Sequence, residues 1–302
     1  IVNARVVWSM APAVELMEGS SFTSRGLNSH MFGVLSELIQ NKWQSHNTLV
    51  GFAMDHGCHE IDGGLGSHGL AMPEDATVLG SAKSLNLELL LAAEPDFILA
   101  STNTRQNLEF RETLEATSIP VAYFDVFNFE DYLRLLDICT DITGHKDRYE
   151  IYGTAVEKEI QSVVEQSKLR LQNQQAPRVL FLRASASAVH VKNSEGVILG
   201  DMLKNLGCIN IADSDATLLE NLSIERILEA DPDFIFVVQQ GDNAAGTREY
   251  VRQFLQEHPA WAQLTAVKQD NVHFMEKQLF GLKPNHRWGQ AYSVVEEILA
   301  NG

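Results

Sequence analysis

Cysteine is scarce in this chain. Three occur in 302 residues, Cys58, Cys139 and Cys208, odd in number and far apart. They form no CxxC pair and no disulfide framework, which excludes a disulfide-stapled scaffold. Cys139 and Cys208 lie in apolar helical contexts and read as small buried residues. Basic residues are also few: 23 Lys and Arg stand against 40 Asp and Glu, for a net charge of -17. Nucleic acid and anionic membrane surfaces both need clustered cations, so neither is expected as a partner. No run approaches the ~20 apolar residues of a membrane span. No signal peptide is read in the sequence, but a chain trimmed of its targeting segment would also start as abruptly as Ile1-Val2-Asn3, so that absence excludes little. The GxSxG, HExxH and Walker loops are missing. Residues 64–69 match GxGxxG formally, but no strand precedes them and Pro73 follows where a helix should run. A dinucleotide site is therefore rejected.

What the chain does contain is one motif used twice. Residues 85–98 read LNLELLLAAEPDFI and residues 222–235 read LSIERILEADPDFI, identical at eight of fourteen positions with a constant offset of 137. Asn86 and Ser223 sit where a helix N-cap belongs, since their side-chain oxygens can accept from free N–H groups of the first turn. Glu88 and Glu225 follow, where a carboxylate meets the positive end of the helix dipole. A short apolar helix, a Pro-Asp break and a strand without polar alternation complete each copy. Such strands suit a parallel sheet covered on both faces. Two like lobes facing each other make a cleft, the usual place for a small ligand.

About 300 residues exceeds the usual size of one core. In the first half, strands are expected at residues 5–8, 48–52, 97–101 and 121–125; in the second, at 178–183, 234–239 and 271–275, with a short one at 209–211. Helices are expected at residues 87–93, 108–117, 199–206, 224–230, 248–256 and 287–299. The alternation predicts an α/β fold: two Rossmann-like lobes with central, mostly parallel sheets, a ligand cleft between them, and one long joining helix. The joining segment holds no proline, and Tyr152, Val156, Ile160, Val163 and Val164 recur in it at helical spacing. It is roughly 27 residues, or ~40 Å at 1.5 Å per residue. A helix there would limit how far the lobes swing, unlike a Gly/Ser hinge. The expected division is a lobe over residues 1–144, a linking helix over 145–175 and a second lobe over 176–302.

The paired Leu-x-x-Glu…Pro-Asp-Phe-Ile motif, the two lobes and the spanning helix resemble a known family. It is the bacterial ABC-transporter substrate-binding proteins for iron-siderophore, haem and cobalamin. The resemblance runs from residue 78 to 300. It is most specific at 80–102, 121–144, 180–184, 222–238 and 282–289, and departs over residues 19–71. It implies an extracytoplasmic, non-enzymatic, monomeric protein with a lipid anchor upstream of Ile1. Its ligand would be an iron complex, a ferric siderophore or haem, with no further cofactor. It also implies that Glu88 and Glu225, one per lobe, dock onto arginines of the ABC permease transmembrane subunits. Taken singly, each glutamate also reads as a dipole-stabilising residue worth ~0.3–1 kcal/mol.

Ligands of that family are bulky and anionic, so an acidic protein must supply local positive charge. Arg183 follows the apolar strand at 179–182, at the carboxyl end where α/β ligand sites gather. Lys283, Arg287 and Trp288 lie in the Lys-Pro-Asn-His-Arg-Trp segment at the mouth of the last helix. Arginine can grip a carboxylate or catecholate bidentately, and Trp offers a flat apolar face. Asn103 and Arg105 follow a strand as Arg183 does, and His56 follows the strand at 48–52. The bland readings are an ordinary capped loop for the first pair and, for Arg287, an N-terminal helix residue paired to a nearby carboxylate. His190 alternates with apolar neighbours as in an exposed hairpin, which argues against a haem-iron ligand. Residues 54–60, Met-Asp-His-Gly-Cys-His-Glu, and His68 gather metal-ligand types, but their spacing fits no zinc signature. No metal site is assigned.

Two other readings stay open. One keeps the fold and makes the ligand a bare divalent metal on His56, His59 or His68. The other is a two-lobed α/β enzyme such as a glycosyltransferase or a nitrogenase-like subunit, against which the missing catalytic motifs and clustered cysteines count.

Overall fold

The duplicated motif folds the same way in both copies. The first helix, α1 (Leu87–Ala92), opens on Asn86, whose side chain accepts from Leu89 N–H at 3.0 Å. Its counterpart (Ile224–Ala230) opens on Ser223, which accepts from Arg226 N–H at 3.3 Å. Each chain then leaves its helix through one left-handed residue directly before the proline, Glu94 (φ 47°) and Asp231 (φ 39°). Such a residue terminates a helix, and the following proline cannot continue it. In the second copy side chains fix the turn. The Asp231 carboxylate accepts from Thr265 N–H (2.8 Å) and Oγ1 (2.7 Å), and Asp233 accepts from Arg178 N–H (2.8 Å).

The computed structural model describes residues 6–9, 49–54, 78–81, 84–95, 97–102, 105–119, 121–143, 146–220, 222–241, 243–281 and 283–302. The chain divides into two compact units, residues 1–126 with 130–153, and residues 127–129 with 154–302. The first contains β1 (Val6–Ser9), β2 (Leu49–Met54), β3 (Val78–Ser81), β4 (Ser84–Leu85), β5 (Phe97–Ser101) and β6 (Val121–Phe124), ordered β4-β3-β2-β1-β5-β6. Among the described strands of this unit only the β3–β4 pair is antiparallel. Leu79, Leu85, Leu90, Ile98, Ala100 and Leu114 form its core. The helices after α1 are α2 (Arg105–Glu109), α3 (Arg111–Glu115), α4 (Phe129–Thr143) and α5 (Lys146–Tyr149).

The second unit has β7 (Arg178–Ala184), β8 (Val189–Lys192), β9 (Ile209–Asn210), β10 (Phe234–Gln239) and β11 (Val272–Met275). Their order is β11-β10-β7-β8, with β9 also pairing β7; among these described strands β8 alone is antiparallel. Its helices are α6 (Ala155–Leu171), α7 (Ile198–Asn205), α8 (Ala216–Glu220), α9 (Ile224–Ala230), α10 (Ala244–Val251), α11 (Thr265–Lys268) and α12 (Trp288–Asn301). Five consecutive residues of β10, Phe234 to Val238, are buried, as an apolar strand covered on both faces requires. Ile235 and Val237 pack with Leu180, Leu182 and Ala184 against Ile227, Val251, Trp261 and Leu264. The rings of Phe234 and Phe236 stack at 6.1 Å, and His273 continues the row 5.8 Å from Phe236. Burial there lowers the imidazole's pKa.

The segment read as a linking helix is helical from Lys146 to Leu171, through a π-turn at Glu150–Thr154. The division between units falls inside that turn, after Gly153. From there on the helix is part of the second core: Val156, Ile160, Val163 and Ser167 of α6 are buried. Arg170 grips Glu296 of α12 with Nε at 2.8 Å and Nη2 at 3.1 Å, their side chains 11% and 10% exposed. Ser167 accepts from Arg170 Nη2 (3.1 Å) and donates to the Leu206 carbonyl (2.7 Å). The helices touch so closely that a Cβ on Gly289 would collide with Glu159.

Candidate ligand-binding site

In parallel α/β folds ligands gather at the carboxyl ends of strands. In the second unit those ends carry Arg183 on β7, Gln239 on β10, and Glu276 directly after β11. Arg183 pairs with Val238 of β10 on one side and His190 of β8 on the other. Directly opposed antiparallel residues share a face with Cβ atoms ~4.5–5.5 Å apart, so Arg183 and the exposed His190 lie side by side. The turn joining their strands is tied to itself. Ser185 N–H donates to the Ala188 carbonyl (2.8 Å), and the Ser185 hydroxyl accepts from Ala188 N–H (3.1 Å). Burial lowers the Arg183 pKa, and among the described residues no carboxylate or hydrogen-bond acceptor meets its guanidinium. A desolvated cation without a partner is costly, and an anion placed against it recovers that cost.

A second cationic segment follows β11. The Glu276 carbonyl accepts from Leu279 N–H (3.2 Å) and Phe280 N–H (3.0 Å), opening a π-turn at Lys277–Gly281. Gly281 lies flat against β10: an added Cβ would stand 3.1 Å from the Gln239 carbonyl oxygen. The chain then passes through Asn285, buried and left-handed (φ 54°), into the 3₁₀ turn Asn285–Arg287. Arg287 is 20% exposed, its Nη1 3.8 Å from Glu276 Oε1, and its Nε is sealed from solvent without an acceptor among the described residues. Lys283 Nζ stands 5.0 Å above the Phe127 ring.

Trp288 differs from the expectation of a flat ligand platform. It is wholly buried, edge-on to Phe129 at 6.0 Å, with no partner for its indole N–H among the described residues. Here it is a core anchor for the start of α12. In the first unit Arg105 opens α2 and pairs with Glu109 at 2.7 Å, itself 91% exposed. Such surface pairs contribute little. Asn103, His56, His68 and the metal-ligand cluster beyond Met54 lie outside the described residues. Cys208 is partly buried, and burial pushes its thiol up to about 12. Glu276 was not singled out in the sequence, although the feature that nominates Arg183, the carboxyl end of a strand, applies equally to residue 276.

Glu88 and Glu225 are both exposed in the first turns of α1 and α9. The helix-start N–H of Glu225 itself, and then the Ser223 hydroxyl at 2.8 Å, hold its carboxyl below the usual range. It therefore presents a persistent negative charge.

A family model described as "Periplasmic binding protein" matches residues 65–279, more than two-thirds of the chain. The chain belongs to the periplasmic binding protein family. Among curated relatives, this binding protein is 24% identical over 228 residues to the "Iron-uptake system-binding protein" of Bacillus subtilis (strain 168), covering 75% of this chain and 68% of that one. It is also 24% identical over 206 residues to the "Fe(3+)-citrate-binding protein YfmC" of the same organism, covering 66% of this chain and 59% of that one. Among solved structures, an ABC transporter substrate-binding protein from Listeria monocytogenes EGD-e superposes with a TM-score of 0.66 at 17% identity, covering 99% of this chain and 100% of that one. At that identity the likeness establishes the fold, two α/β units with mostly parallel sheets.

Proposed function

We propose that this periplasmic binding protein captures an anionic iron complex on the extracytoplasmic side of the membrane and delivers it to an ABC permease. The observation that carries the reading is Arg183, a partly buried guanidinium at the carboxyl end of β7 that meets no counter-charge among the described residues. Ferric citrate and carboxylate siderophores, catecholates and haem propionates all offer the anion that such a group accepts bidentately. The names of the two Bacillus relatives, iron uptake and ferric citrate, support the same ligand class. In this reading the protein is a monomer, lipid-anchored and non-enzymatic: affinity and release replace turnover. Equilibrium dialysis of the purified protein against ferric citrate, a ferric triscatecholate and haem tests capture. Saturable binding of one of them supports it, and binding of none contradicts it.

Delivery falls to Glu88 and Glu225, which occupy equivalent exposed helix starts in the two units. The Glu88→Gln/Glu225→Gln variant is expected to keep its ligand affinity and to lose only ~0.3–1 kcal/mol of stability per carboxylate, the helix-dipole contribution. It should lower ligand-stimulated ATPase of the reconstituted permease about tenfold or more, the loss of two interfacial charge contacts. Unchanged stimulation would show that the two carboxylates serve only their own helices.

A further inference from the structure

We infer that Glu276 is an internal competitor for Arg287, and that this pair sets how strongly the site favours anionic ligands. The inference rests on the proposed capture of an iron complex and adds a residue that governs its selectivity. The separation of 3.8 Å between Glu276 Oε1 and Arg287 Nη1 is too long for a hydrogen bond but well within Coulombic reach. Arg287 is poorly satisfied: its Nε finds no acceptor among the described residues, and its side chain is only 20% exposed. Glu276 is 55% exposed and free to swing outward.

The backbone holds both residues in place. The Glu276 carbonyl anchors the π-turn through Leu279 and Phe280, and Arg287 N–H donates to the Pro284 carbonyl at 2.9 Å. The exposed Nη edge of Arg287 is thus offered to one carboxylate at a time. In the empty protein Glu276 holds it loosely. An incoming carboxylate or catecholate must displace Glu276 and meets its repulsion on the way. Complexes too weakly charged to displace it gain nothing from Arg287.

Glu276→Gln removes the competitor while keeping its size. Titrated with ferric citrate, a ferric triscatecholate and haem, all anionic, the variant should bind whichever complex the wild type accepts about two- to fivefold more tightly, the range of a solvent-screened ion pair. The gain should vanish in an Arg287→Gln background. Melting temperature checks folding, and Glu276→Ser replaces the glutamine variant if that one does not fold. Unchanged or weaker binding by the variant overturns the inference alone, as does an equal gain without Arg287. Wild-type protein that binds none of the three complexes refutes the capture reading, and this inference with it.

Discussion

Glu296→Ala is expected to cost the second unit about 3–5 kcal/mol of stability, the loss typical of a buried ion pair left with one charge. The remaining partner, Arg170, is only 11% exposed and among the described residues would keep just the Ser167 hydroxyl, which already donates to Leu206. Urea denaturation followed by circular dichroism reads the loss as a lower midpoint at unchanged slope. Arg170→Met/Glu296→Leu should recover most of it, because removing both charges removes the desolvation cost as well. If the single variant loses less than about 1 kcal/mol, the pair is solvated like a surface bridge. The helix Ala155–Leu171 would then be docked by its apolar face alone, Val156, Ile160 and Val163.

Arg183→Met should move stability and affinity in opposite directions. The lone guanidinium is desolvated without a partner among the described residues. Replacing it with an apolar side chain of similar length should leave the urea midpoint unchanged or raise it. Affinity for an anionic iron complex should fall at least about thirtyfold, the lower end for losing one member of a buried charge pair. A residue held for stability would do the reverse, lowering the midpoint and sparing binding. Isothermal titration and urea denaturation on the same preparation separate the two.

Much of the fold was legible because its signals are local. Strands at Phe97–Ser101, Phe234–Gln239 and Val272–Met275 fall within a residue of the apolar runs that predict them. Asn86 and Ser223 cap the helices their hydrogen-bonding chemistry assigns them. The strands Val78–Ser81 and Ser84–Leu85 were not foreseen, since four and two residues are too few to show a period. Contacts between distant positions left no trace. Arg170 and Glu296 are 126 residues apart, and nothing near either names the other. That contact also explains why a segment reading as a spacer belongs to the second core. The candidate site divides in the same way. Strand polarity nominates Arg183, and a place at a helix mouth nominates Arg287. Trp288 was not placed correctly, because a tryptophan opening a helix looks the same whether it faces a ligand or a core, and only the Phe129 contact decides.

The measurement that tests the central claim most directly is a parallel isothermal titration of wild-type protein and Arg183→Met with ferric citrate, a ferric triscatecholate and haem. The account predicts saturable, tight binding of at least one complex by the wild type, and a loss of about thirtyfold or more in the variant. Equal affinity in both proteins, or no binding to either, would contradict it.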